Sequence, residues 1–300
     1  MYDVIIVGKG PAGLSAALYT LRANLRTLVI GKSDSVLLKA EKIENYFGFK
    51  DTVSGSELLN AGEHQALKLG ADIVDEEVLG INQSEGFEVI TSKNKYAGIA
   101  VLLAAGQPQK KLKIEGLQEL EGRGVSYCTT CDGFFYRGLK VGVLGNSDYA
   151  VHEAEELKAF TNNITIYTNG RDLQYKGDYN DIMKSFNIES KSILKLEGDE
   201  YLQYICFSDG SKDRIDGLFI ANESASSIDF ARKLGVITEG ASIIVDKEQK
   251  TNVEGLYAAG DCTGGFKQIA TAVGQGALAA RHIIEFVRNL KKGAASDTVI

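Results

Sequence analysis

Histidine is scarce in this chain: three residues in 300, standing far apart at His64, His152 and His282. Cysteine is nearly as scarce, with four residues of which only Cys128 and Cys131 are close in sequence. Without a second C-x-x-C or a histidine pair at ligand spacing, a zinc site has no complete donor set, and no metal ligand is assigned. Four cysteines do not make a framework of structural disulfides either, and the isolated Cys206 and Cys262 read as small buried residues. A basic excess is also missing. The formal net charge is −7, which argues against a nucleic-acid partner because phosphate binding needs a basic face. The run QKKLK, with Lys110, Lys111 and Lys113, reads as a solvated charge run at a domain junction, with a local docking patch as the alternative. There is no apolar run long enough to span a membrane. The N-terminus enters DVIIVG directly, without the basic segment, apolar core and cleavage site of a secretion signal, so a cytoplasmic protein is expected.

What is present is a globular composition, 44% hydrophobic and 24% charged, with apolar material for about two domains. The opening, MYDVIIVGKGPAGLSAALYT, is an apolar β-branched run, then Gly8, Gly10 and Gly13 in a G-x-G-x-x-G array that also holds Pro11 and Ala12, then an Ala/Leu-rich helical pattern. The three glycines serve different ends: a tight turn at Gly8, close backbone approach to a pyrophosphate at Gly10, and close packing of helix on strand at Gly13. The helix then offers its free N-terminal amides to the phosphates. An acidic residue about 20 positions on should hold the adenosine ribose. The second strand, TLVI, instead runs into Gly31 and Lys32, so that contact is unassigned.

A second strand-loop-helix unit starts at LKVGVLG and continues through NSDYAVHEA. Between the two, VLLAAG reads as a buried strand closing on a turn at Ala105 and Gly106, and KKLKIEG as the first crossing between domains. The strand SIIVD and the segment TNVEGLYAAGD read as a return to the first domain, and the helical pattern ATAVGQGALAARHIIEFVRNL leaves KKGAASDTVI as a mobile tail. The fold expected is α/β with two Rossmann-like domains, the second inserted in the first; the family resemblance described below implies the bounds, 1–112 and 241–300 for one and 113–240 for the other.

The chemistry lies in CTTCDG. Two sulfurs one helical turn apart can form a disulfide at a helix N-terminus, where the dipole stabilises a thiolate. Half of a zinc site is the alternative, and its second pair is absent.

GKGPAG near the start, CTTCDGFF in the middle, and GLYAAGD followed by a Gln-Ile-Ala helix start resemble the low-molecular-weight thioredoxin reductases over nearly the whole chain. The resemblance implies FAD in the discontinuous domain and a redox-active disulfide in the central one. It also implies a homodimer whose central domains swing between two positions. By the same resemblance Cys131 takes electrons from the flavin, Cys128 attacks the disulfide of thioredoxin, and Asp132 exchanges the proton of the departing thiolate, with helix capping as the alternative for Asp132. Flavin contacts are implied at Asn45, Ala105, Gly106, Gly260, Asp261 and the helix start Gln268, Ile269 and Ala270, besides the first glycine loop. An ordinary turn is the alternative for Asn45.

The second glycine loop departs from the family. Gly145 and Ala150 keep the first and third positions, but the central glycine is Ser147. After the next strand, Thr168, Asn169 and Gly170 stand where NADPH-dependent members carry His-Arg-Arg for the 2′-phosphate, and only Arg171 remains nearby. Charge-assisted hydrogen bonds contribute about 1.5 to 3 kcal/mol each, so losing two weakens NADPH by roughly a hundredfold to ten-thousandfold. The expected donor is therefore ferredoxin, as in the pyridine-nucleotide-independent branch of the family. The alternatives are an NADPH enzyme with an atypical site and a flavin redox sensor without turnover. Restoring glycine at 147 and arginine at 169 and 170 is expected to recover NADPH binding.

Overall fold

The computed structural model describes all residues except 34, 108–111, 178, 180, 223 and 297–300. Three positions of the QKKLK run, Gln109, Lys110 and Lys111, lie outside the described residues. The chain divides into two compact units, Met1–Gln109 with Ser226–Ile300, and Lys110–Ala225.

The first unit opens with β1 (Tyr2–Val7), α1 (Pro11–Arg22), β2 (Thr27–Ile30), α2 (Gly55–Lys68) and β3 (Asp72–Val74), followed by the strands β4 (Val78–Ser84), β5 (Gly86–Thr91) and β6 (Lys95–Leu103). β1 and β2 are buried on both faces, which is why they read as unbroken apolar runs rather than alternating ones. β3, β2, β1 and β6 lie side by side in parallel, and β5 and β4 continue the sheet as an antiparallel meander. α2 begins with a capping box: Ser54 Oγ accepts from the Glu57 amide while the Glu57 carboxylate accepts from the Ser54 amide. The Ser54 amide, and then the Ser54 hydroxyl, donate to the Glu57 carboxylate and hold it below the usual carboxylate range.

The inserted unit contains β7 (Val125–Ser126), the single-turn α3 (Thr129–Asp132), β8 (Val141–Leu144), α4 (Asp148–Leu157), β9 (Ile164–Tyr167), β10 (Asn187–Glu189), an antiparallel trio β11 (Ile193–Glu197), β12 (Tyr204–Phe207) and β13 (Lys212–Arg214), and β14 (Gly217–Ile220). Its main sheet has the order β10-β9-β8-β14-β7 and is parallel throughout. Each unit thus contains a run of parallel strands with helices packed on it, as the two glycine loops predict, the first unit's sheet being extended by the antiparallel β5 and β4.

The chain re-enters the first unit with α5 (Ser227–Lys233), the short pair β15 (Thr238–Glu239) and β16 (Ser242–Ile243), β17 (Leu256–Ala258) beside β6, and α6 (Ile269–Ser296). The compact first unit resumes at Ser226, and the Ser227 hydroxyl accepts from the Ala105 amide at 3.0 Å. Two expectations need correction here. SIIVD forms only a two-residue strand. The last helix does not stop before KKGAAS but runs through it to Ser296, and only residues 297–300 of the expected tail lie outside the described residues.

Candidate active site

The end of β1, the end of β6 and the end of β17 lie at one edge of the first sheet, and the N-termini of α1 and α6 stand against it. Gly8 has φ +123°, and a Cβ there would lie 2.3 Å from the Ala104 carbonyl oxygen. A Cβ on Gly13 would lie 2.0 Å from the Gly8 oxygen, so α1 can leave the strand this closely only with glycine at that position. Gly10 differs: a Cβ there meets nothing within 4 Å, and the residue caps the helix facing open space of the kind a diphosphate needs. Pro11 occupies the first helical position, where its missing N–H costs nothing.

Ala12 is the contact point for the rest of the cradle. A Cβ on Gly260 would lie 3.1 Å from the Ala12 Cβ, and one on Gly276 would lie 2.1 Å from the Ala12 oxygen, so β17 and α6 close directly on the start of α1. The Gly260 amide donates to Gln275 Oε1 at 2.9 Å, ahead of Asp261. Asn45 Nδ2 donates to Gln268 Oε1 at 2.9 Å, which joins the loop of Asn45 to the residue preceding Ile269 and Ala270 on α6. Ala105 is held by Ser227, and Gly106 follows at φ +70°. These contacts bring Gly260 and the first turns of α6 onto Ala12 and tie Asn45 to Gln268. Sequence reasoning missed Ser227 and Gln275, whose polar side chains serve backbone amides more than a hundred residues and 15 residues away, respectively. β2 runs directly into Gly31 and Lys32, and the Ser33 hydroxyl that follows donates to Asp75 at 2.7 Å and accepts from Lys9 Nζ at 3.0 Å.

In the inserted unit Cys128 and Cys131 are joined as a disulfide. Cys128 is the N-cap residue of α3, and its Sγ accepts from the Cys131 amide at 3.1 Å. Helix start and sulfur thus meet as the spacing predicts. Cys128 is buried, with 5% exposure, whereas Cys131 is exposed. Asp132 precedes the 3-10 turn Gly133–Tyr136 but its side chain makes no capping hydrogen bond: its carboxylate accepts from Ser126 Oγ at 2.7 Å, and the same Ser126 oxygen accepts from the Cys128 amide at 3.0 Å. Ser126, missed in the sequence, therefore holds the acid and the first cysteine together. Burial and then the charge of Asp132 push the Tyr136 phenol above its ordinary range.

Thr129 is a second residue the sequence did not single out. Its hydroxyl lies 2.7 Å from both Glu153 and Glu156 on α4. His152, Glu153 and Glu156 also bring three possible ligand atoms within 4.8 Å of one another, a grouping hidden by a search for paired cysteines and histidines. Cys206 and Cys262 are buried, as expected, and burial pushes the Cys262 thiol up to about 12.

The second glycine loop is built as a loop that ordinary residues can form. A Cβ on Gly145 would lie 2.1 Å from the Ala221 oxygen, so glycine is required there, but Ser147 is an extended N-cap residue at φ −127°. The segment after β9 folds against the loop. Asn146 Nδ2 donates to the Asp172 oxygen, the Gln174 amide donates to the Asn146 oxygen, and the buried Asp148 carboxylate accepts from the amides of Lys176 and Gly177. Asn169 and Gly170 are both left-handed, at φ +51° and +77°. The Asn169 side chain accepts from the Ile193 amide at 2.7 Å, and Arg171 donates to Asn222. The expected rescue by arginine at 169 and 170 is thus not a simple restoration. Left-handed backbone costs of order 1 to 3 kcal/mol for a side-chain-bearing residue, and a Cβ at 170 would lie 2.3 Å from Ser192 Oγ.

Two parallel-sheet units, one with a glycine cradle for a dinucleotide and the other with a C-x-x-C disulfide beside a hydrogen-bonded acid, define a flavoprotein-type disulfide oxidoreductase. The chain belongs to the pyridine nucleotide-disulphide oxidoreductase family, whose model matches residues 2–276, and within it to the thioredoxin reductases. It is 33% identical to the thioredoxin reductase of Listeria innocua over 99% of this chain and 97% of the relative. An atypical thioredoxin reductase from Desulfovibrio vulgaris Hildenborough is 42% identical, with TM-score 0.92 over 96% of this chain and 99% of that one. A ferredoxin-flavin thioredoxin reductase from Clostridium acetobutylicum is 31% identical, with TM-score 0.70 over 96% and 98% of the two chains.

Proposed function

We propose that this chain is an FAD-dependent thioredoxin reductase that takes electrons from reduced ferredoxin and passes them through the Cys128–Cys131 disulfide to thioredoxin. The observation that carries the choice of donor is the left-handed turn at Asn169 and Gly170, with Arg171 engaged by Asn222. A 2′-phosphate meets no pair of guanidinium groups there. The likeness to a protein described as a ferredoxin-flavin thioredoxin reductase supports the same reading. The driving force is adequate: a ferredoxin near about −400 mV reducing a thioredoxin near about −270 mV releases roughly 6 kcal/mol for two electrons. NADPH is the second reading, favoured by Arg171 and by the intact strand-loop-helix of β8 and α4.

FAD, when bound, converts single-electron deliveries into a two-electron reduction. Gly10 and the first turn of α1 would hold its diphosphate, and Asn45, Gly260, Asp261 and the α6 start at Gln268, Ile269 and Ala270 would contact the remainder. The positive end of α6 stabilises negative charge. Cys131 receives the electrons. Cys128 is the sulfur to which the α3 amide donates, which favours a thiolate and hence attack on thioredoxin; at 5% exposure it must be uncovered first. Asp132, held by Ser126, takes and returns the proton of the leaving thiol. Phe134 and Phe135, 61% and 73% exposed just beyond the disulfide, offer apolar surface to a protein substrate.

The proposed cofactor unit comprises 1–109 and 226–300, and the reaction is placed in the cytoplasm. No helix among the described residues is long and apolar enough to cross a membrane. A homodimer is proposed from the family resemblance, so light scattering at micromolar concentration should give twice the 32.4 kDa chain mass; a monomer contradicts it. For the donor, sub-millimolar NADPH added anaerobically should leave the flavin absorbance unchanged over seconds. Bleaching in that time establishes the nucleotide enzyme instead.

A further inference from the structure

Ser126 ends β7, and its backbone is fixed there: it pairs in register with Phe219 of β14 and is buried. The redox helix α3 that follows is a single turn, with the half-buried Asp132 at its end. Three hydrogen bonds close a ring between them. The Cys128 amide donates to Ser126 Oγ at 3.0 Å, Ser126 Oγ donates to Asp132 Oδ2 at 2.7 Å, and the Asp132 amide donates to the Cys128 oxygen at 3.1 Å. The same Cys128 oxygen lies 3.4 Å from Ser126 Oγ, so the one hydroxyl hydrogen has two acceptors in reach.

We propose that this hydroxyl is a rotor that holds Asp132 in place in both of its charge states, which makes Ser126 a positioning residue of disulfide exchange. A carboxylate takes the hydroxyl hydrogen, the arrangement of the 2.7 Å contact. When Asp132 carries a proton, the hydroxyl turns its hydrogen to the Cys128 oxygen, which has a second lone pair, and accepts from the acid instead. In that state the serine oxygen accepts twice, from the Cys128 amide and from Asp132, and donates once. Every polar group of the ring stays paired in both states, so the acid can gain and lose a proton without leaving its seat.

The rotor rests on the reading of Asp132 as the proton carrier. As an enzyme sulfur attacks the thioredoxin disulfide, a new sulfur–sulfur bond forms and the thioredoxin bond breaks with its electron pair on the leaving sulfur. The proton lost by the enzyme dithiol passes through Asp132 to that sulfur. Other titratable groups reach α3 from two sides. Tyr136 lies in the turn that follows, its phenol raised by burial and then by the Asp132 charge. From α4, Glu153 and Glu156 meet Thr129, and His152 lies 3.4 Å from Glu156. β7 and β14 bring none.

The experiment is single-turnover reduction of thioredoxin by the flavin-loaded full chain, reduced beforehand with dithiothreitol, freed of it and used in excess, so that no electron donor enters. Rates are followed across pH for the wild type, Ser126→Ala, Ser126→Thr, Asp132→Asn and the double variant Ser126→Ala with Asp132→Asn. Ser126→Ala should slow the reaction about tenfold to a hundredfold, the worth of one hydrogen bond to a charged group, and leave the acid limb of the pH profile where it was. Ser126→Thr, which keeps the hydroxyl, should recover most of that loss. With Asn at 132, the alanine substitution should change the rate by less than about twofold, since its effect runs through the acid. A hydroxyl that serves the carboxylate alone would, when removed, move the acid limb upward by about one to two pH units, and that shift overturns the rotor. An equal loss in both backgrounds, or a loss in threonine equal to that in alanine, overturns positioning through Asp132. Asp132→Asn as fast as the wild type overturns the reading of Asp132 itself.

Discussion

Cys128→Ser and Cys131→Ser should each abolish thioredoxin reduction, with no turnover detectable above the uncatalysed rate, while leaving the flavin bound. Neither sulfur is part of the glycine cradle, which lies in the other unit of the chain. Both are needed because electrons leave as a pair only when one sulfur attacks and its neighbour resolves the mixed disulfide. The two variants should nonetheless differ in colour. If Cys131 is the sulfur that exchanges electrons with the flavin, as proposed, its thiolate in the Cys128 variant should give a long-wavelength charge-transfer absorbance with oxidised flavin. With Cys131 replaced, the remaining sulfur is the one that caps α3 and accepts from the amide at position 131, and no such absorbance is expected. Identical visible spectra would overturn the assignment of roles.

The second large effect concerns the first glycine loop, where two neighbouring substitutions should separate folding from cofactor retention. Gly13→Ala places a methyl 2.0 Å from the Gly8 oxygen and 3.1 Å from Ile6 Cγ2, so backbone must shift. Overpacking of this kind costs typically about 1 to 3 kcal/mol. The variant should lose thermal stability and purify with little or no flavin. Gly10→Ala adds the same methyl where nothing lies within 4 Å. Its apoprotein should melt at the temperature of the wild-type apoprotein, yet retain flavin poorly because the methyl projects into the space assigned to the diphosphate. The ratio of visible to ultraviolet absorbance and the melting temperature of the apoproteins check both. Full flavin content in Gly10→Ala would show that the diphosphate lies elsewhere.

The glycine loops were legible in the sequence because their physical demands are local. A strand, a turn without a Cβ and a helix start fall within about a dozen residues, and Gly8 and Gly13 prove to be places where a Cβ meets backbone. The CTTC pair was legible for the same reason. What could not be read were contacts made by packing between distant segments. Thr129 meets Glu153 and Glu156 only because α3 lies against α4, and Ser227 sits in a polar stretch that looks like linker until its hydroxyl is found on the Ala105 amide. KKGAAS looked like a frayed tail because it has no apolar face, although nothing in its composition prevents a helix from continuing. The missing arginines at 169 and 170 were visible at once. Their left-handed backbone was not, and it changes the remedy: arginine at those two positions would work against the turn as well as supply charge.

Ferredoxin and NADPH are separated most cleanly by anaerobic turnover, in which reduced ferredoxin or NADPH is supplied to the flavin-loaded enzyme with excess thioredoxin and new thioredoxin thiols are counted. Thiols should form catalytically with ferredoxin and not above background with sub-millimolar NADPH. Turnover with NADPH at a rate equal to or above that with ferredoxin would contradict the assignment of ferredoxin as donor.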